Sequence, residues 1–150
     1  GGRKEQYTSQ QRLAGYKCGL SDNNISFSED LVYDSDYHAE GGYERMSQLL
    51  SSGERFSAVI GANDYVAIGA LSACGENGID VPEDISIVGF TGDKIGAYTV
   101  PPLTTMKQPI EEIGKKAVDL LLSNVRDEGR PMERILLPGK LIERKSVAKK

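Results

Sequence analysis

FSAVIGANDYVAIGALSACGENGIDVPEDISIVGF, residues 56–90, holds two apolar patterns in alternation. Phe56 to Gly61 is almost continuously apolar, the pattern of a parallel strand covered on both faces. Asn63-Asp64 then supplies cap residues for a helix predicted from about Tyr65 to Asn77, with Gly78 as its stop. Ala67, Ala70, Leu71 and Cys74 share one face of that helix and are expected in the core. Tyr65 and Ile68 lie off that stripe, which predicts a second covered face, such as one against a partner subunit. After Val81-Pro82, Ile85 to Phe90 reads as another buried strand. Strand, helix and strand at these lengths make a βαβ crossover.

The alternation continues outward in both directions. Upstream lie a helix from about Ser9 to Leu20 and a short apolar strand at Leu31-Val32-Tyr33, ended by Asp34-Ser35-Asp36. From Tyr37 the period changes, and Ala39, Tyr43, Met46 and Leu50 form one helical face that stops at Ser51-Ser52-Gly53. Downstream, a glycine-bearing loop from Thr91 to Pro102 leads to a strand at Leu103–Met106. Pro109 then opens a helix whose Ile110, Ile113, Ala117, Leu120 and Leu121 align, running to Val125. Two extended segments, Arg134–Leu137 and Leu141–Glu143, close the chain. Repeated units of this kind specify an α/β fold: a doubly wound, mostly parallel sheet in three α/β/α layers.

Composition removes several function classes. With 18 basic and 22 acidic residues the formal charge is −4, and no basic stripe is present, so the chain is a poor grip for phosphate backbones. No apolar run approaches the ~20 residues of a membrane helix. The chain opens Gly1-Gly2 rather than with methionine, so the lack of a targeting segment decides little. Cys18 and Cys74 fall inside helical patterns and are expected as buried free thiols. Asn24-Ile25-Ser26 is a chance match to a glycosylation signal.

In an open parallel sheet, ligands bind outside the carboxyl ends of the strands. That rule selects residues 3–12, 34–37, 62–64 and 91–98. They offer a planar cation in Arg12, an amide in Asn63, an aromatic plane in Tyr37, and hydroxyls and carboxylates near Thr91 and Asp93. Together these suit a small polyhydroxylated or heteroaromatic ligand. Singly, each has a plainer role: Asn63 as a helix cap, Arg12 as a solvated arginine, Tyr37 as a cover for its helix, Thr91 and Asp93 as turn residues. Catalytic signals are absent. The one histidine, His38, has no nucleophile beside it, and no metal-ligand spacing occurs. Gly114-Lys115 and Gly139-Lys140 each lack the first glycine of a phosphate loop, since Pro109 and Arg134 stand there. Neither an enzyme nor a bound cofactor or metal is expected.

Five blocks resemble the LacI/GalR family of transcription regulators, in that family's order: Arg12-Leu13-Ala14-Gly15-Tyr16; Asn63-Asp64 with Ala67-Ile68-Gly69-Ala70; Val81 to Phe90; Pro102-Leu103-Thr104-Thr105 with Gln108-Pro109; and Leu141 to Ser146. The resemblance spans nearly the whole chain. It implies a periplasmic binding protein-like fold of type I, with residues 1–102 and 127–150 in the C-terminal lobe and 103–126 in the N-terminal lobe. The helix-turn-helix would lie outside this chain. It further implies a cytoplasmic homodimer, pairing through the helix near Tyr65 and the loop at Tyr98-Thr99, that binds a small sugar-like effector and operator DNA. By matching position, Thr8, Arg12, Tyr37, Asn63 and Thr91 would contact the effector. Where the family usually has an aspartate, this sequence has Thr91, and Asp93 is the expected stand-in. The alternative is a periplasmic sugar-binding protein of a transport system.

Overall fold

The computed structural model describes residues 7–126, 131 and 133–149. Gly1-Gly2 and the first part of the expected 3–12 loop, residues 3–6, lie outside the described residues. Helix α1 spans Tyr7–Asp22, α2 Ala39–Ser51, α3 Asp64–Glu76 and α4 Ile110–Arg126. The strands are β1 Ala58–Ile60, β2 Ser86–Thr91, β3 Thr104–Lys107 and β4 Lys140–Ile142. They form one sheet in the order β1-β2-β3-β4. β1 pairs parallel with β2 (Val59 opposite Ile87) and β2 parallel with β3 (Val88 opposite Thr104). β4 closes the sheet antiparallel, with Thr105 opposite Ile142. The mostly parallel α/β sheet is thus as expected.

The core lies between this sheet and the α2–α3 pair. Met46, Leu49, Ala67, Ala70, Leu71, Cys74, Ile85, Ile87 and Leu103 are buried together. Two glycines let the helices approach this closely. A Cβ on Gly69 would run into the backbone of Ala39 and Tyr43, and one on Gly42 into the backbone of Val66. At the far end of the pair the Tyr43 hydroxyl donates to Glu76 Oε2 at 2.6 Å, and that bond with the neighbouring carboxylate raises the Tyr43 pKa. α3 is capped as its sequence predicts: Asn63 Oδ1 accepts the Val66 amide at 2.8 Å, and Gly78 takes a positive φ just beyond the C-terminus.

The tail returns to the amino end of β2. Ser146, fully buried, donates from Oγ to the Ile87 carbonyl at 2.5 Å and accepts the Thr104 amide at 2.8 Å. It thereby bridges the amino ends of β2 and β3, taking up a backbone carbonyl of one and a backbone amide of the other.

Five expectations need correction. Leu31-Val32-Tyr33 is not a strand: Glu29–Leu31 is a 3-10 turn, Val32 is extended but pairs in no ladder, and Leu31 and Tyr33 pack on the core. Its apolar content signalled burial rather than pairing. Phe56–Gly61 is not covered on both faces. Only Ala58–Ile60 pair, at the edge of the sheet, and Ile60 is 56% exposed. Leu103 to Lys107 does not leave for another lobe, because Leu103 is fully buried and Thr104–Lys107 is a strand of this sheet. Arg134–Leu137 joins no strand, with residue 132 of its approach outside the described residues. Cys18 is exposed, since α1 has no apolar stripe to bury; Cys74 is buried and free. Burial pushes the Cys74 thiol up to about 11.

Candidate functional site

The carboxyl ends of β1 and β2 meet the start of α3 and the start of α1. Alternation along β2 turns Ile87, Gly89 and Thr91 toward α3 and sends Phe90 to the opposite face. There the Arg12 guanidinium, carried on α1, lies 4.4 Å from the centre of the Phe90 ring. Arg12 is half-buried, and among the described residues no carboxylate or carbonyl oxygen occupies its five N–H donors.

From Phe90 the contacts run round in a closed ring. The next residue, Thr91, accepts the Asp64 amide on Oγ1 at 3.3 Å. Beside Asp64, Asn63 uses both ends of its amide: Oδ1 caps α3 and Nδ2 donates to the Tyr37 carbonyl at 2.8 Å. Tyr37 Oη then lies 2.8 Å from Ser9 Oγ on α1, one helical turn before Arg12. Tyr37 is held at φ +70°, a left-handed conformation that costs a non-glycine residue roughly 1–3 kcal/mol. Its carbonyl bond to Asn63, its hydroxyl contact with Ser9 and an amide bond to Ser35 Oγ at 3.2 Å hold it there. The strained residue sits in the loop between the 3-10 turn and α2 and is fixed there by three polar contacts.

Four of the five expected site residues are therefore brought together: Arg12, Tyr37, Asn63 and Thr91. Thr8 sits exposed on the first turn of α1, one position before the residue the ring uses, Ser9. Asp93, the expected stand-in for an aspartate at position 91, already spends Oδ1 on the Ile95 amide at 3.1 Å, capping the 3-10 turn Lys94–Ala97. The cap reading of Asn63 and the turn reading of Asp93 both agree with the structure, and the cap of Asn63 does not exclude a site role because its other end reaches Tyr37.

The sequence reading missed Asp64, Phe90 and Thr105. Asp64 is fully buried, and its two carboxylate oxygens accept Thr105 Oγ1 and the Asp93 amide, each at 2.5 Å. The signal available was its place at the start of a helix already capped by Asn63, where a second capping side chain is redundant. Phe90 was legible only as strand, yet as the residue before Thr91 it had to face the other side of the sheet. A separate cavity of about 250 Å³, lined by Asp34, Ser35, Asp36, Gly41, Glu44 and Arg45, includes none of the ring residues. Within the ring Ser9 and Asp64 are buried, while Arg12, Tyr37, Asn63, Phe90 and Thr91 are partly exposed. No group of side chains able to hold a metal occurs among the described residues, and none of their helices is long and apolar enough to cross a membrane.

Residues 1–147 match the periplasmic binding protein-like domain family. The chain is 38% identical over 135 residues to the HTH-type transcriptional regulator MalR of Clostridium butyricum, covering 90% of this chain and 40% of that protein. Among solved structures, a sugar-binding LacI-family transcriptional regulator from Escherichia coli, complexed with phosphate, superposes with a TM-score of 0.86 at 37% identity, over 97% of this chain and 52% of that one. The lac repressor dimer bound to operator and the anti-inducer ONPF gives a TM-score of 0.85 at 33% identity, over 95% of this chain and 49% of that one. The chain spans less than half the length of the MalR relative and about half of these structures. It belongs to the periplasmic binding protein-like domain family, in the form carried by LacI-type transcriptional regulators.

Proposed function

We propose that this chain is the C-terminal part of the effector-binding core of a LacI-type regulator, which binds a small polar metabolite and catalyses no reaction. The observation that carries this reading is the closed ring Arg12–Phe90–Thr91–Asp64–Asn63–Tyr37–Ser9. Helix α1, strand β2, the start of α3 and the Tyr37 loop converge there, and the ring leaves a half-buried guanidinium without an acceptor among the described residues. A guanidinium suits planar acceptors, and the ring also holds the aromatic side chain of Tyr37, so a sugar or a similar polar ring is the fitting ligand class.

The mechanism is linkage. Arg12, Tyr37, Asn63 and Thr91 form one wall of a cleft, and the other wall belongs to a second lobe to which the segment from Gln108 to Arg126 passes. The amphipathic α4, without a buried residue here, supports that assignment, as do β4 and Ser146 returning to the first sheet. Effector held between the walls favours one lobe orientation, and in a dimer that orientation sets the spacing of two DNA-binding heads and hence operator affinity. The exposed Tyr65 on α3 and Tyr98 beyond β2 support a side-by-side dimer through that face. The transport reading is disfavoured, because the relatives that match in sequence are regulators.

The test is calorimetric titration of the full-length protein with a panel of sugars and sugar phosphates, comparing wild type with Arg12→Gln. A loss of at least tenfold in affinity, with thermal stability kept, is expected, because a charge-assisted donor pair is worth about 1.5–3 kcal/mol. Unchanged affinity in Arg12→Gln would remove Arg12 from the site and open the ring.

A further inference from the structure

We propose that Asp64, working through Thr105, is the positioning residue of the effector-binding turn Thr91–Asp93, an inference that rests on the effector-site reading above. All three residues of the turn are tied to this one acid or to the hydroxyl it holds. Thr91 Oγ1 accepts the Asp64 amide at 3.3 Å, the Asp93 amide donates to Asp64 Oδ2 at 2.5 Å, and the Gly92 amide donates to Thr105 Oγ1 at 3.2 Å. Thr105 in turn donates its hydroxyl proton to Asp64 Oδ1 at 2.5 Å. The direction of that last bond follows from the others: the Thr105 oxygen is accepting from Gly92, so its proton is free for the carboxylate.

The surroundings are shaped to admit this group. A Cβ on Gly89 would collide with Asp64 Oδ1, and a Cβ on Gly92, at φ +79°, would collide with Lys107. The turn therefore passes at Gly92 where only glycine fits, and its Asp93 amide, partly buried, would lose its partner if the acid were absent. Asp64 and Thr105 are both fully buried, and a buried carboxylate is costly unless donors surround it. The start of α3, with its amide dipoles, adds favourable potential.

Helix capping does not account for the acid, because Asn63 already caps α3. The side-chain partners of Asp64 lie in the turn and in β3, and the turn is the part of the ring that presents Thr91. Chemistry also makes the acid hard to replace. Two fixed donors meet its two oxygens, whereas asparagine can accept with one end only and would present an N–H to the other donor.

The experiment uses Asp64→Asn, Thr105→Val and Thr105→Ser in the full-length protein. Two quantities are read: amide hydrogen exchange at Gly92 and Asp93 against that of α3, and affinity for ribose, cellobiose and glucose 6-phosphate. Asp64→Asn and Thr105→Val should each raise exchange at Gly92 and Asp93 at least tenfold, leave Ala70 and Cys74 protected, and weaken the bound probe at least tenfold. Thr105→Ser, which returns the hydroxyl, should recover both. If Asp64→Asn does not fold, Thr105→Val carries the test, since it keeps the side-chain shape and deletes only the hydrogen bonds.

Unchanged exchange at the turn in a folded Asp64→Asn variant would overturn the tether. A loosened turn with unchanged probe affinity would leave the tether in the fold and overturn its role in binding. Wild type that binds no probe would overturn the effector-site reading, and the role of Asp64 with it, while the exchange result still stood.

Discussion

Helices α3 and α4 each carry an apolar stripe, α3 in a mostly apolar helix and α4 opposite a charged face, and the two stripes meet opposite fates. In α3, Ala67, Ala70, Leu71 and Cys74 are all buried against α2 and β2. In α4, Ile110 is 61% exposed and Leu121 62%, and no described residue is buried. Helical periodicity reports that a face is meant to be covered, without saying by what. For α3 the cover is encoded within the chain, in the small residues that let α2 approach. α4 has the amphipathic face and no such partner here.

The sharpest way to break this contrast is truncation on each side of it. Ile87→Ala, under α3, should cost about 2–5 kcal/mol in denaturant unfolding, since the site is fully buried and cannot relax completely. Leu121→Ala on α4 should change the stability of this chain by less than about 0.5 kcal/mol. Equal losses at the two positions would mean that α4 is packed in solution.

A second change adds volume rather than removing it. Gly69→Ala places a methyl group into the Ala39 and Tyr43 backbone and should destabilise by roughly 1–3 kcal/mol. The same substitution at Gly114 of α4, where nothing lies within 4 Å of a Cβ, should be neutral or stabilising by up to about 1 kcal/mol. Opposite signs at two helical glycines, read as shifts in Tm, would confirm that helix propensity is overruled only where helices touch.

Asn63→Ala should lose about 1–2 kcal/mol through the cap of α3 alone. It also frees the Tyr37 carbonyl and should loosen residues 35–38 in hydrogen exchange, whereas a residue serving only as a cap would leave that loop as it was.

The smallest effect concerns the thiols. Cys18, exposed, should react with iodoacetamide in the native protein, while Cys74 should stay protected until unfolding. The folded Cys74 pKa is raised above its ordinary value of 9.0, to about 11, so the folded state keeps a proton that the unfolded state releases. Its contribution to stability is present below pH 9.0 and is lost as pH rises toward 11. Cys74→Ala should remove that part of the alkaline decline.

The same contrast explains how much was legible in advance. The βαβ unit of residues 56–90, the cap at Asn63, the stop at Gly78 and the stripe of α3 were readable because each is a local signal that the rest of the fold respects. Leu31-Val32-Tyr33 and Ile60 were misread because pairing and edge position depend on neighbours that an apolar run does not name. At the candidate site, Asn63 and Thr91 do follow strands β1 and β2, whereas Arg12 comes from α1 and Tyr37 from a loop that no strand precedes, so the strand-end rule selected all four but accounts for only two. The rule's range included Asp64 but not its pairing with Thr105, which spans 41 residues and needs the register of β3 against β2.

The central claim is that the ring from Arg12 to Ser9 holds a solute at the carboxyl ends of the strands. Its most direct test is amide chemical-shift mapping of the ¹⁵N-labelled full-length protein with millimolar ribose, cellobiose and glucose 6-phosphate. The account predicts that the shifts for a binding probe cluster at Ser9–Arg12, Tyr37–His38, Asn63–Asp64 and Thr91–Asp93, and that they vanish in Arg12→Gln. Shifts confined to the acid-lined cavity near Glu44 and Arg45, or to α4, would contradict it.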